Sequence, residues 1–225
     1  MLNRLELTGR AASHVTAVPE LGCIVHREVA ASLLSMQAAA RADRVEIGIA
    51  SSFRAFDRQV DIWNTKFTGA RPVYDRSGVL LDRSRLDAVA LIDAILAWSA
   101  LPGASRHHWG TDVDVVDAAA TAAGYRPQLL PHEYAPGGVF FALDTWITAN
   151  AKRFGFFRPY RTDRGGVQPE PWHLSFAPIA SIALEALSLE VLIEAVGASI
   201  MHGREVVLAR IPELYERYVR RIDSP

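Results

Sequence analysis

SRHHWGTDVDVV, residues 105–116, sets two histidines and two aspartates against an apolar run. In a β-strand successive side chains point to opposite faces, so Asp112 and Asp114 share one face while Val113 and Val115 take the other. The stretch therefore predicts a strand that buries its valines and aims two carboxylates at something else. Outward from it, VEIGIASS (45–52) alternates Val45, Ile47 and Ile49 with Glu46 and Gly48, a second strand that delivers Ser51, Ser52 and Arg54 at its end. FGFFRPY (154–160) reads as a short aromatic strand, and VQPEPWHLSF (167–176) as a loop entering a final strand.

The segments between have helical spacing. Val29, Leu33 and Met36 mark a helix over about 27–41, and Phe56, Val60, Trp63 and Phe67 line one face of another. Ser84 with Asp87 reads as a capping box for a helix carrying Leu91, Ile95 and Trp98, and a further helix is expected over about 140–153. From Pro178 onward the pattern is helical, with stripes at Leu189, Ile193, Val196, Ile200 and at Val207, Ile211, Leu214, Tyr218. Pro212 is expected in the first turn of a last short helix. The expected fold is α+β: a small, mainly antiparallel sheet bearing the chemistry, flanked by helices. Residues 1–176, including an N-terminal helical region, form the domain with the site, and 177–225 a helical C-terminal extension packed on it.

The 225-residue chain is half hydrophobic, enough for a sizeable core. Lys and Arg number 24 against 25 Asp and Glu, a net charge of −1; no global basic field favours nucleic acid, and no such partner is expected. The lone Cys23 excludes an intramolecular disulfide framework. No run approaches the ~18 apolar residues of a membrane span, and no signal peptide is visible at the N-terminus. The chain as written is expected in the cytoplasm, with the periplasm or cell envelope as the alternative. The C-terminal stripes are expected to serve as core or as a homodimer surface.

A catalytic zinc ion takes three protein ligands and keeps a fourth position open. His107 and Asp114 supply two, with Asp112 as an alternative to Asp114 or as a second carboxylate orienting an imidazole. EPWH (170–173) supplies the third as His173, and puts Glu170 within reach of a reacting water. Trp172 is expected on the cleft wall and His108 pointing away. His132 and Glu133 lack a further histidine at helical spacing, and Pro136 with two glycines favours a loop there. His14, His26 and His202 have no evident partners.

Ser105, His107, Gly110 and Asp114, followed by Glu170, Trp172 and His173, resemble the zinc peptidases that group VanY-type D-alanyl-D-alanine carboxypeptidases with lysostaphin-like and hedgehog-like domains. SSFRAFDRQ (51–59), with Ser52, Arg54 and Gln59, resembles a third element of that family, and the likeness spans about residues 45–176. It implies Zn2+ held by His107, Asp114 and His173, and Glu170 as general base. It also implies that Arg54 faces anionic substrate or the developing oxyanion, and that Ser105 and Gln59 hold the substrate's terminal carboxylate. The implied activity is removal of the terminal D-alanine from peptidoglycan stem peptides. Sibling readings are an L,D-carboxypeptidase, a peptidoglycan endopeptidase or a zinc-bearing binding module without catalysis. The chain departs from the family at Asp112, where a small residue is usual, and at Phe53, where tyrosine is commoner.

Overall fold

Val113 and Val115 are buried to within 1%, as a strand interior to a sheet requires. The computed structural model describes residues 1–225. In chain order its elements are α1 (Arg4–Leu7), β1 (Val15–Val18), β2 (Cys23–His26), α2 (Arg27–Ala42), β3 (Ile47–Ser51), α3 (Phe56–Thr68), α4 (Ala88–Leu96) and β4 (Asp112–Asp117). There follow α5 (Ala118–Ala122), α6 (Pro131–Tyr134), α7 (Phe141–Asn150), β5 (Phe156–Phe157), β6 (His173–Phe176), α8 (Ala177–Ala186), α9 (Leu189–Gly197) and α10 (Arg204–Tyr215).

β1 and β2 form a hairpin, and the main sheet has the order β3-β4-β6-β5, antiparallel throughout. The fold is thus α+β, with small antiparallel sheets flanked by helices. Register does the positioning: Asp114 lies opposite Ser51 on β3 and opposite His173 on β6, and Asp112 lies opposite Ser175. Residues paired across antiparallel strands share a face, so two aspartates and a histidine remote in sequence meet on one side of the sheet. The other side carries Val113, Val115 and Leu174 into a core with Val29, Leu33 and Met36 of α2 and Leu143 and Ile147 of α7.

A second core joins α3 and α4 to the C-terminal helices: Phe56, Trp63, Ile92 and Leu96 share one cluster with Leu192, Val196, Val207 and Leu214. The second stripe, Val207 to Tyr218, is buried within the chain, so it is core and offers no homodimer surface. The first stripe is split, with Val196 buried but Ile193 and Ile200 exposed. No helix is long and apolar enough to cross a membrane.

Several boundaries differ from expectation. Val45 precedes β3, whose outer pairing is broken by an irregularity between Ile49 and Ser51. Asp87 alone caps α4, accepting from the Ala90 N–H at 2.8 Å, while Ser84 belongs to a separate 3-10 turn. Pro212 sits inside α10; its missing N–H removes one bond to the Leu208 carbonyl, and the helix continues because Val207, Ile211 and Leu214 pack on either side of it. Residues 131–134 form one helical turn, and Glu133 is fully buried within it, accepting from the N–H groups of Gln128 and Leu130 and from the Tyr125 hydroxyl.

Candidate active site

The segment after β3 and the turn before β4 are stitched together by main-chain contacts. The Arg54 N–H donates to the His107 carbonyl at 3.1 Å, and His107 Nδ1 and His108 Nδ1 bond the Ser52 and Arg54 carbonyls at 3.0 and 2.6 Å. The turn ends at Gly110, φ +66°, where a Cβ would lie 2.6 Å from the His26 nitrogen. Only glycine fits that approach. Two motifs some fifty residues apart thus form one rigid rim.

On this rim and on β4 and β6, one ligand atom each of His107, Asp114 and His173 lies within 4.8 Å of the others. His107 Nε2 is 3.4 Å from Asp114 Oδ2, and His173 Nδ1 is 3.2 Å from Asp114 Oδ1 and 3.3 Å from Glu170 Oε2. The far nitrogens decide the tautomers. A carbonyl can only accept, so His107 Nδ1 donates to Ser52 and its Nε2 presents a lone pair to the cluster. His173 Nε2 bonds Asp112 Oδ1 at 2.9 Å, which leaves Nδ1 facing inward. Asp114 Oδ1 is buried without a hydrogen-bond partner. Two inward lone pairs beside a buried carboxylate oxygen with nothing donating to it suit a divalent ion with N and O ligands.

Asp112 is fully buried, orients His173 as well as pairing with Arg106, and accepts from Ser175 and Thr111. Burial opposes ionisation of both aspartates. Arg106 and His173 outweigh it at Asp112, as His107 and His173 do at Asp114, and both carboxyls are held well below the usual range. For His173 burial opposes the charge, and without an ion the surrounding carboxylates of Asp112, Asp114 and Glu170 outweigh it and raise its pKa well above the ordinary value; a divalent ion would take the place of that proton at Nδ1.

The cluster opens into a cavity of about 410 Å³ whose lining includes Arg54, Ser105, Glu170 and Trp172. Ser105 Oγ is buried without a partner. Trp172 packs at a tilt against Tyr134, ring centroids 5.6 Å apart. Arg54 is anchored from behind, Nη1 on Gln59 Oε1 at 2.7 Å and Nη2 on Ser51 Oγ at 2.9 Å. Gln59 corrects the expectation of substrate contact. It is fully buried, its amide donates to the Ala100 carbonyl at 2.7 Å, and it stands behind Arg54 rather than on the cavity wall.

Other histidines also found partners. His108 is fully buried behind Arg54, His14 Nε2 bonds the His108 carbonyl at 2.9 Å, and His26 caps α2 at the Glu28 N–H. Sequence reasoning missed Lys66, Arg71 and Tyr160 on the wall. The Tyr160 ring stands edge-on to His173 at 5.1 Å, and burial pushes its hydroxyl up to about 12. A signal for Lys66 existed: it follows Gln59 by seven residues, two helical turns along the same face.

The family model described as VanY, D-alanyl-D-alanine carboxypeptidase, matches residues 23–179. An uncharacterized protein of Haemophilus influenzae is 34% identical over 121 residues, 53% of this chain and 92% of the relative. A D-alanyl-D-alanine carboxypeptidase of Enterococcus faecalis is 30% identical over 144 residues, 63% of this chain but 44% of that protein. Among solved structures, VanYB in complex with D-alanine-D-alanine aligns with TM-score 0.54 and 24% identity over 82% of this chain and 90% of the other. A mutant VanY D,D-pentapeptidase from the VanB-type resistance cassette, in complex with Zn(II), aligns with TM-score 0.53 and 26% identity over 81% and 92%. Fold and relatives together define a peptidase that acts on peptidoglycan. The chain belongs to the VanY D-alanyl-D-alanine carboxypeptidase family; its activity is that of a D-alanyl-D-alanine carboxypeptidase or a related peptidoglycan peptidase.

Proposed function

We propose that this protein is a zinc-dependent carboxypeptidase that removes the terminal D-alanine from peptidoglycan stem peptides. The observation that carries the reading is the convergence of His107, Asp114 and His173 at the cavity floor with a glutamate oxygen 3.3 Å from His173 Nδ1. His107, Asp114 and His173 would hold the ion. Zinc, when bound, supplies Lewis acidity that polarises a carbonyl and brings the pKa of water towards ~7.

The chain's own groups do the rest. Glu170 lines the cavity, placed to accept a proton from the attacking water and return it to the leaving amine. Arg54, held by Gln59 and Ser51, presents its guanidinium to the cavity, where it donates to the oxyanion that grows on the scissile carbonyl. The field of Asp114 and then of Glu170 works against the burial that lowers the Arg54 pKa, which keeps this cation beside the reacting atoms. Ser105 Oγ, buried and unpartnered, offers a hydroxyl to the substrate.

The test is mass spectrometry of a muropeptide pool containing pentapeptide, tetrapeptide and cross-linked species, incubated with zinc-loaded protein and with a chelated control. The expected result is chelator-sensitive loss of one alanine mass from the pentapeptide alone. Glu170→Gln should lower turnover by ~10²–10⁴-fold while zinc stoichiometry is kept. Trimming of tetrapeptide or cleavage of dimers would move the assignment to a sibling activity. No change in any species from a protein that still holds zinc would favour a binding module.

A further inference from the structure

Four cationic side chains line the cavity, and one of them, Arg106, is paired with the buried Asp112; the other three, Arg54, Lys66 and Arg71, come from α3, the residue preceding its N-cap and the turn that follows it. Their bonding differs. Arg54 is committed to Gln59 and Ser51 behind it and faces the reacting centre. The side chains of Lys66 and Arg71 make no hydrogen bond and no ion pair with any group of the chain; Arg71 is tied only through its backbone N–H, on the Thr65 carbonyl at 2.9 Å.

Nor is this corner loose. Gly69 ends α3 at φ +86° with its N–H 3.2 Å from the Lys66 carbonyl, and Arg83 donates to the Phe67 carbonyl from outside. The turn therefore sets the backbone from which the half-buried Lys66 and the exposed Arg71 reach the cavity wall. Lys66 is half-buried, and burial pushes its ammonium down to about 8, with Glu170 pulling it up and Arg71 and Arg54 pushing it further down. A partly desolvated ammonium among other cations, with no acceptor, is a costly arrangement unless an anion arrives from outside.

The charge inventory shows how much anion is wanted. Asp114 and Glu170 are the only acids on the cavity wall, and both lie at the histidine cluster. A bound divalent cation balances those two carboxylates, and Arg54 balances the negative charge at the reacting centre, where the growing oxyanion and the terminal carboxylate one residue away both lie. Lys66 and Arg71 remain. At about 410 Å³ the cavity falls within the ~300–1,000 Å³ range of clefts that take drug-sized ligands, so more than the two residues flanking the scissile bond can enter.

We propose that Lys66 and Arg71 form a second anion subsite, which takes a free side-chain carboxylate of the bound peptide in addition to its terminal carboxylate. The inference rests on the carboxypeptidase reading above and narrows its substrate to acidic peptides. Lys66 acts here as a specificity residue, remote from the bond that breaks.

Two synthetic peptides ending in D-alanyl-D-alanine test it, identical except that the residue before the dipeptide carries a side-chain carboxylate or the corresponding amide. The zinc-loaded protein should favour the acid over the amide by about tenfold in kcat/KM, the worth of one charge-assisted hydrogen bond. Lys66→Met should bring that ratio to about one and Lys66→Arg should keep it. A ratio near one in the unmodified protein, or one that persists in Lys66→Met, overturns the subsite.

If neither peptide is cleaved, the carboxypeptidase reading fails separately and amine acylation decides the subsite. Lys66 and the exposed Lys152 are the only lysines of the chain, so one serves as reference for the other. Slowing of Lys66 acetylation by the acid peptide about tenfold more than by the amide, relative to Lys152, upholds the subsite; equal or no protection overturns it.

Discussion

Replacing Asp112 by asparagine separates the charge of this residue from its shape. Asp112 is fully buried and Arg106 is 4% exposed. Asp112 Oδ1 accepts from Arg106 Nε at 2.8 Å and from His173 Nε2 at 2.9 Å, while Oδ2 accepts from Ser175 Oγ at 3.1 Å and from Thr111. An asparagine oxygen can keep the first two bonds. Its NH2 would then face two hydroxyls that can rotate to accept, so what is lost is charge. Breaking a buried ion pair from one side costs ~3–5 kcal/mol because the other charge stays buried; with the hydrogen bonds retained, the low end, about 3 kcal/mol, is expected. Arg106 Nη1 already lacks a partner, so it has no reserve contact to fall back on. The same change weakens the carboxylate that orients His173, and zinc affinity should fall ~10–100-fold. Urea unfolding of the zinc-free protein at constant m-value reads the first effect, and competition with a chelating dye reads the second. Adding Arg106→Leu should recover part of the stability, because no unpaired charge remains. A stability loss below ~1 kcal/mol with unchanged zinc affinity would refute the account of Asp112 as an ionised brace for His173.

Gln59→Leu should lower kcat/KM by about tenfold through Arg54, with KM less affected than kcat, and cost ~1–3 kcal/mol because the Ala100 carbonyl and one Arg54 nitrogen lose their partner; a pure KM effect would instead mean that Gln59 touches substrate. His108 makes acid sensitivity specific. Its Nε2 accepts from the Gly103 N–H at 3.2 Å, and burial pushes its pKa from 6.5 down to about 3. Between pH 6.5 and 3 the unfolded chain therefore binds a proton that the folded chain refuses, so stability falls as pH falls. At pH 5 that difference is ~2 kcal/mol. The fall in zinc-free stability from pH 7 to 5 should be smaller in His108→Gln by about this amount, and an equal fall in both proteins would show that the imidazole is protonated in the fold.

What could be read from sequence was whatever period-two patterning or short spacing carries. Val113 and Val115 against Asp112 and Asp114 announced both the face and the burial of β4, and EPWH put a carboxylate three residues from an imidazole. The register that sets Asp114 opposite His173 is a long-range pairing, and local pattern leaves it open. Gln59 and Lys66 show the other limit. Both lie on α3 two turns apart, yet one is sealed behind Arg54 while the other reaches the cavity. Which polar residue on a helix faces a cleft depends on what packs over each turn. Here the Ala100 carbonyl captures Gln59, whereas the turn at Gly69 carries the chain away and no carbonyl captures the half-buried Lys66. Pro212 makes a similar point: a proline ends an isolated helix, but a stripe buried on both sides of it outweighs one missing hydrogen bond. The His107, Asp114 and His173 cluster was legible because ligand chemistry restricts residue type, and the cavity's cationic corner was not, because an arginine or lysine is ordinary until its partners are counted and found to be absent.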